Sequence, residues 1–342
     1  MARHAFIIGG TGQIGRAVGS SFLAAGWHVT IAHRGTRPVP PELEGAQAVT
    51  FDRETPGALA VALGEGADVV IDTVAFDAAH GAQLLELQGL VGAFVVMSSI
   101  SVYCDAQGRS LAGSLDKAGD LPVPIPETQV TVAAGPENYS SKKIALEQVM
   151  LQGSRIPVTI LRPGAIHGIG SAHPREWWFV KRFLDGRRKI PLKFGGESRF
   201  STTSTGNLAA LVQFTAAHPG TRILNAVDPE TLAVAVMGRV MAKYMGVDCE
   251  FVGLGPQPDD SSVGATPWSV ARPFVAADTQ ARALGYVPVE TYEQAMPAYI
   301  DWMIEISARD DWRKIFTVSA SYEPEGFDYA AEDALLATVP QS

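Results

Sequence analysis

Tyr139 and Lys143 stand four residues apart in Asn138-Tyr139-Ser140-Ser141-Lys142-Lys143, a spacing that puts both side chains on one face of a helix. A phenol with an ordinary pKa of about 10 is a poor acid near neutrality. A neighbouring ammonium favours the phenolate, so such a pair can exchange a proton with a substrate oxygen. A cluster of hydroxyls, Ser98, Ser99 and Ser101, follows the apolar run Ala93-Phe94-Val95-Val96-Met97. That run reads as a buried parallel strand, which delivers the hydroxyls to its carboxyl end, where ligands lie in open α/β sheets.

Chemistry at that edge needs a molecule held beside it, and the start of the chain supplies the holder. Ala5-Phe6-Ile7-Ile8 reads as a buried strand, and Gly9-Gly10-Thr11-Gly12 as a tight turn. A helix then starts at Gln13, with apolar residues at Ile14, Val18 and Phe22. Gly10, Gly12 and Gly15 fit G-x-G-x-x-G; Gly9, Gly12 and Gly15 fit the related G-x-x-G-x-x-G. Without a Cβ in the way, main-chain N–H groups can reach a pyrophosphate, and the helix N-terminus favours the anion. Gly9, Thr11, Gly12, Gln13 and Ile14 are therefore the expected phosphate cradle.

The second strand, Trp27 to Ala32, ends at His33-Arg34-Gly35. About 20 residues past the glycine loop an acidic side chain would grip the ribose 2′-hydroxyl of NAD, whereas an arginine accommodates the 2′-phosphate of NADP. His33 and Arg34 occupy that place and Arg37 lies close by, so NADP(H) is favoured over NAD(H); otherwise Arg34 only solvates a loop. A third strand, Ala46 to Phe51, leads to Asp52, placed either to accept from the adenine amine or to cap a helix near Thr55-Pro56. Asp68 to Val74 forms a fourth strand, which brings Thr73, Val74 and Ala75 to the ligand edge. Asp77 and His80 read as surface residues.

Residues 105–136, rich in Gly, Pro and Asp, read as a long loop. Ile156 to Leu161 is a sixth strand. Strands alternating with helices make a doubly wound parallel sheet, a Rossmann architecture, over 1–172 plus about 200–228. Residues 173–199 and 229–322 would form a smaller C-terminal substrate-binding domain, and 323–342 an acidic tail. His167 is either a substrate contact or a packed structural histidine. Trp177 and Trp178 either line an apolar substrate pocket or face a core, and the cations from Lys181 to Lys189 either grip an acidic substrate group or are solvated.

A formal net charge of −9 over 342 residues offers no basic field for RNA or DNA, so the expected partner is a small molecule. Cys104 and Cys249 lack metal-ligand spacing, which argues against zinc and against a disulfide framework. The first strand follows Met1-Ala2-Arg3-His4 directly and no apolar run reaches membrane-spanning length, so a cytoplasmic protein with no membrane partner is expected.

Four landmarks stand in order: Gly9-Gly10-Thr11-Gly12-Gln13-Ile14-Gly15, Ser99 within Ser98-Ser99-Ile100-Ser101-Val102-Tyr103, Tyr139 with Lys143, and Arg162-Pro163-Gly164. As a set they resemble the extended short-chain dehydrogenase/reductase superfamily, in particular its NAD-dependent epimerase/dehydratase branch and the atypical reductases near it. The resemblance implies that Tyr139 is the acid/base and that Lys143 lowers its pKa and binds the nicotinamide ribose. It further implies that Ser99 polarises the substrate carbonyl and that Pro163 to Ala165 border the nicotinamide. A homodimer is compatible with it. Epimerases of nucleotide sugars commonly carry an asparagine where this chain has Ala165 and a glycine where it has Cys104. That difference, with His33-Arg34, favours an NADP(H)-dependent reductase over the alternative of an NAD-dependent nucleotide-sugar epimerase or dehydratase. A non-catalytic NADP-sensing or RNA-associated protein on the same fold is the third reading.

Overall fold

The computed structural model describes residues 2–111, 119–255, 262–322 and 327–339. The elements run β1 (His4–Ile8), α1 (Gln13–Ala24), β2 (His28–His33), β3 (Gln47–Thr50), α2 (Ala58–Leu63), β4 (Ala67–Asp72), α3 (Ala78–Leu85) and β5 (Val91–Met97). After a long loop come α4 (Tyr139–Gly153), β6 (Val158–Pro163), β7 (Ala165–His167), α5 (Trp177–Leu184), β8 (Lys189–Leu192), β9 (Thr202–Ser204), α6 (Thr205–Ala217) and β10 (Arg222–Ala226). The chain ends with α7 (Val234–Tyr244), β11 (Glu250–Gly253), α8 (Thr279–Ala283), α9 (Tyr292–Ser307), α10 (Trp312–Ile315), α11 (Thr317–Tyr322) and α12 (Tyr329–Leu336).

Seven strands form the central sheet in the order β10-β6-β5-β4-β1-β2-β3, all paired in parallel. This is a Rossmann sheet. The apolar run of β1 is explained by burial on both faces. Successive strand residues point to opposite sides, so Ala5 and Ile7 join a core with Val18, Phe22 and Leu211. Phe6 and Ile8 join another with Leu84, Leu146 and Met150.

A third core holds Trp177, Trp178, Phe179, Met241, Tyr299 and Trp312, contributed by α5, α7, α9 and α10. Trp177 and Trp178 are each 3% exposed, too buried to line a substrate pocket. Burying side chains of that size stabilises by several kcal/mol, at about 25 cal/mol per Å², and that burial accounts for the aromatic run. The segment 279–286 departs from the expected division of the chain: Ala281 and Tyr286 belong to the sheet-side core with Val18 and Leu211.

The described part of the expected acidic tail contains a helix. In α12, Glu332 is 3% exposed and pairs with Arg182 at 2.6 Å, while Asp333 pairs with Arg187. The acidic groups that those cations hold belong to the chain itself. Residues 323–326 and 340–342 lie outside the described residues. Among the described residues no helix is long and apolar enough to cross a membrane.

Candidate active site

The loop between β1 and α1 is shaped by close approach. Gly9 has φ +82°, and a Cβ at Gly15 would lie 2.3 Å from the Gly9 carbonyl oxygen. Gly12 N donates to that oxygen at 2.9 Å. Gly12 caps α1 with no side-chain acceptor, so the first N–H groups of the helix remain open to an anion. Ile14 packs on the sheet-side core, and Gln13 Nε2 donates to Gly168 O at 3.1 Å, tying the loop to the segment after β7.

A pocket of about 450 Å³ opens beside this loop, lined by Gly9, Thr11, Gly12, His33, Arg34, Arg37, Asp52, Arg53, Val74 and His80 among others. It joins the phosphate cradle to the end of β2, and its chemistry fits the adenosine half of a dinucleotide. Arg34 and Arg37 are exposed at the rim. Neither has a hydrogen bond or ion pair among the described residues. Asp52 does not cap a helix: α2 begins at Ala58 behind Gly57. The Asp52 carboxylate accepts from Glu54 N at 3.1 Å.

His80, expected on the surface, lines the same pocket. Its Nδ1 accepts from Phe76 N at 2.9 Å, and its Nε2 lies 3.2 Å from Glu54 Oε1. The neighbouring expectation, Asp77, caps α3 through Ala79 N and His80 N. A helix-start pattern after β4 was the available signal for the cap. The position of His80 depends on chain folding and left no mark in the sequence.

At the other end of the edge, Asn138 caps α4 by accepting from Ser141 N at 3.0 Å, which sets Tyr139 as the first helical residue. Farther along α4, the buried Glu147–Arg162 pair at 2.5 Å fixes the helix against β6. Tyr139 is 45% exposed, so its phenol can meet a substrate. The Ser99 side chain is near enough to that phenol to favour its ionised form. Ser99 Oγ also accepts from Ser101 N at 3.1 Å, and the Ser101 hydroxyl is engaged by Ser140.

Desolvation pushes the Tyr139 pKa up from its usual value, against the opposing pull of Ser99 and the Arg175 charge. The net shift is upward, so the lowering expected from Lys143 is not the outcome in this arrangement. The reason is geometric: Lys143 is 5% exposed, and its Nζ donates to the carbonyls of Ala75 at 2.5 Å and Met97 at 3.0 Å. Burial lowers the Lys143 pKa to about 8, with Asp72 and Glu147 opposing.

Thr73 donates through Oγ1 to Ile8 O at 2.8 Å, which seats the turn against the glycine loop. Val74 is exposed to the pocket, whereas Ala75 is buried and is engaged through its carbonyl. Pro163 and Ala165 are buried at the carboxyl end of β6 and the start of β7. Phe76, missed in the sequence, has its ring 5.7 Å from that of Tyr139 and forms an apolar wall beside the phenol.

His167 is not a substrate contact. It is 1% exposed, and its Nε2 lies 2.8 Å from Asp228 Oδ2. Asp228 also accepts from Thr202 Oγ1, Ser204 N and Asn207 Nδ2. The residues are 61 apart, so no local spacing could have revealed the pair. Burial opposes charging of His167, yet the Asp228 carboxylate holds its pKa above the ordinary value, and Asp228 itself is lowered to about 2.

Sheet order and glycine loop together define a Rossmann domain with an open pocket at its ligand edge. Residues 9–172 match the family model described as NAD(P)H-binding. Among curated proteins, 2'-dehydrokanamycin reductase of Streptomyces kanamyceticus is 29% identical over 169 residues, covering 48% of this chain and 43% of that enzyme. The chain thus aligns with less than half the length of that relative. Among solved structures, dTDP-glucose 4,6-dehydratase of Bacillus anthracis in complex with NAD superposes with a TM-score of 0.67 at 16% identity, covering 92% of this chain and 100% of that one. UDP-glucose 4-epimerase of Thermotoga maritima with UDP-glucose gives 0.66 at 17% identity, over 89% and 99%. At such identities these two likenesses show the fold alone.

Proposed function

We propose that this protein is an NADP(H)-dependent reductase of a carbonyl group in a small molecule. The observation that carries the reading is the exposed Tyr139 phenol beside Ser99, on the helix that buries Lys143 at the same sheet edge as the glycine loop. When bound, the dinucleotide supplies the hydride to the carbonyl carbon. Ser99 orients and polarises the substrate oxygen, and Tyr139 donates its proton to that oxygen. Lys143, held by the Ala75 and Met97 carbonyls, presents a positive charge where the nicotinamide ribose would lie. The open N-terminus of α1 binds the pyrophosphate. Arg34 and Arg37, exposed and uncommitted among the described residues, receive the 2′-phosphate.

Residual similarity to an enzyme named as a reductase supports the direction of the chemistry. The test is NADPH consumption across a panel of ketones and aldehydes, with Tyr139→Phe as control. No turnover by the protein with NADPH bound, or turnover unchanged in the variant, overturns the reading. A nucleotide-sugar epimerase would instead retain NAD(H) through purification and consume none, so mass analysis of the co-purified cofactor separates the two.

A further inference from the structure

Arg53 is a charged residue that the proposed chemistry leaves without a task. It lies on the wall of the nucleotide pocket but is only 8% exposed. Its Nη1 donates to Asp72 Oδ2 at 3.0 Å and its Nε to Gln83 Oε1 at 3.2 Å, while Gln83 Nε2 donates back to Arg53 O at 3.1 Å. Asp72 is fully buried at the end of β4. Its other oxygen, Oδ1, accepts from Val74 N at 2.9 Å and Ala75 N at 2.7 Å. Ala75 then turns its carbonyl to Lys143 Nζ at 2.5 Å. A continuous chain of hydrogen bonds therefore runs from the adenosine side of the pocket to the buried lysine. An ordinary surface arginine would not be sequestered in this way, since a buried ion pair costs desolvation that two well-packed apolar residues would avoid.

We infer that Arg53 and Asp72 act as a positioning pair for Lys143: Asp72 fixes the turn whose carbonyl holds the lysine nitrogen, and Arg53 fixes Asp72 and balances its charge. The inference rests on the reading of Lys143 as part of the active site.

The charges facing Lys143 give the pair a signature that packing alone lacks. Asp72 and Arg53 approach from the strand side, Asp77 from the cap of α3, and Glu147 from one turn farther along α4, where it is already committed to Arg162. Tyr139, on the same helix, presents its ring 5.5 Å from Nζ. Asp72 favours the ammonium and Arg53 opposes it. Removing Arg53 relieves a repulsion and exposes Lys143 to an unbalanced Asp72, so both changes move its titration to higher pH. Removing the Asp72 charge moves it to lower pH.

The experiment is an NMR titration of lysine labelled with carbon-13 at Cε, in wild type, Arg53→Met, Arg53→Lys and Asp72→Asn, with Lys143→Arg to assign the resonance. A shift of about one pKa unit upward is expected for Arg53→Met and a comparable shift downward for Asp72→Asn. Arg53→Lys, which restores the charge, titrates near wild type. An unmoved resonance in Arg53→Met or Asp72→Asn, or a shift of the opposite sign, overturns the inference. Should Arg53→Met fail to fold, Asp72→Asn carries the test, because it keeps the shape and both main-chain hydrogen bonds. No substrate or cofactor is needed. Shifts of the expected sign in a protein that reduces no carbonyl uphold the pair and retire the function, while unmoved titration in an active reductase retires only the pair.

Discussion

Tyr139 and Lys143 share a face of α4, yet the lysine nitrogen sits 5.5 Å from the tyrosine ring centroid and gives its hydrogens to the carbonyls of Ala75 and Met97. The two groups therefore titrate for separate reasons, the phenol upward through desolvation on its packed side and the ammonium down to about 8 through burial. In the reductive direction the phenol must be protonated and the lysine charged. Tyr139 meets its condition throughout the neutral range, so Lys143 sets the alkaline limit. NADPH-dependent turnover should fall as pH rises past about 8, measured as a kcat profile. Tyr139→Phe should lower kcat by about 10²–10⁴-fold with a smaller change in KM.

The cofactor preference is tested at Arg34. Hydrogen bonds to a charged group contribute about 1.5–3 kcal/mol, which is roughly a 10- to 100-fold change in affinity. Arg34→Ala should raise the NADPH dissociation constant by that factor and leave NADH within about two-fold, as read by fluorescence titration. An equal loss for both cofactors would place Arg34 outside the 2′-phosphate site.

The sheet was legible because burial on both faces writes long apolar runs such as Ala5 to Ile8 and Ala93 to Met97, and the glycine spacing marks the loop between strand and helix. Tyr139 and Lys143 were legible because their relation is local to one helix. The His167–Asp228 and Arg182–Glu332 pairs join residues 61 and 150 positions apart. No periodicity encodes such contacts, so His167 and the tryptophans could be read as site residues when they are core. The role of Arg53 was hidden likewise: its partner Asp72 is the last residue of a strand and reads as one more carboxyl-edge side chain.

The Asp228 cluster yields a stability prediction. Asp228→Ala leaves a buried imidazole, two main-chain or side-chain N–H donors and a hydroxyl without their acceptor, and breaking a buried pair in this way costs about 3–5 kcal/mol in urea unfolding. The pH dependence follows from the two directions. The His167 contribution is full below its ordinary value of 6.5 and is lost as pH rises through its raised folded value. The Asp228 contribution is full above its ordinary 3.8 and is lost as pH falls through about 2. The difference between wild type and variant should therefore be largest from about pH 4 to 6.5. A difference that does not vary with pH would mean that the pair stabilises by packing rather than by charge.

The clasp between α5 and α12 gives the last prediction, because its two acidic residues differ in burial. Glu332 is buried against Arg182, whose guanidinium stacks 3.5 Å from the Trp178 ring centroid, so the pair closes over the aromatic core. Glu332→Ala takes the buried carboxylate away from that cation and should destabilise by about 3 kcal/mol or more. Asp333 meets Arg187 with 61% of its side chain exposed, and Asp333→Ala should cost no more than about 1 kcal/mol, since solvent and salt screen the pair. Both variants should bind NADPH like the wild type, because the clasp lies on the side of the aromatic core and the cofactor pocket is built from β1 to β4 and the loops that follow them. Equal destabilisation by the two substitutions would show that α12 is held by its surface charges, and loss of NADPH binding in Glu332→Ala would show that the aromatic core and the nucleotide pocket fold as one unit.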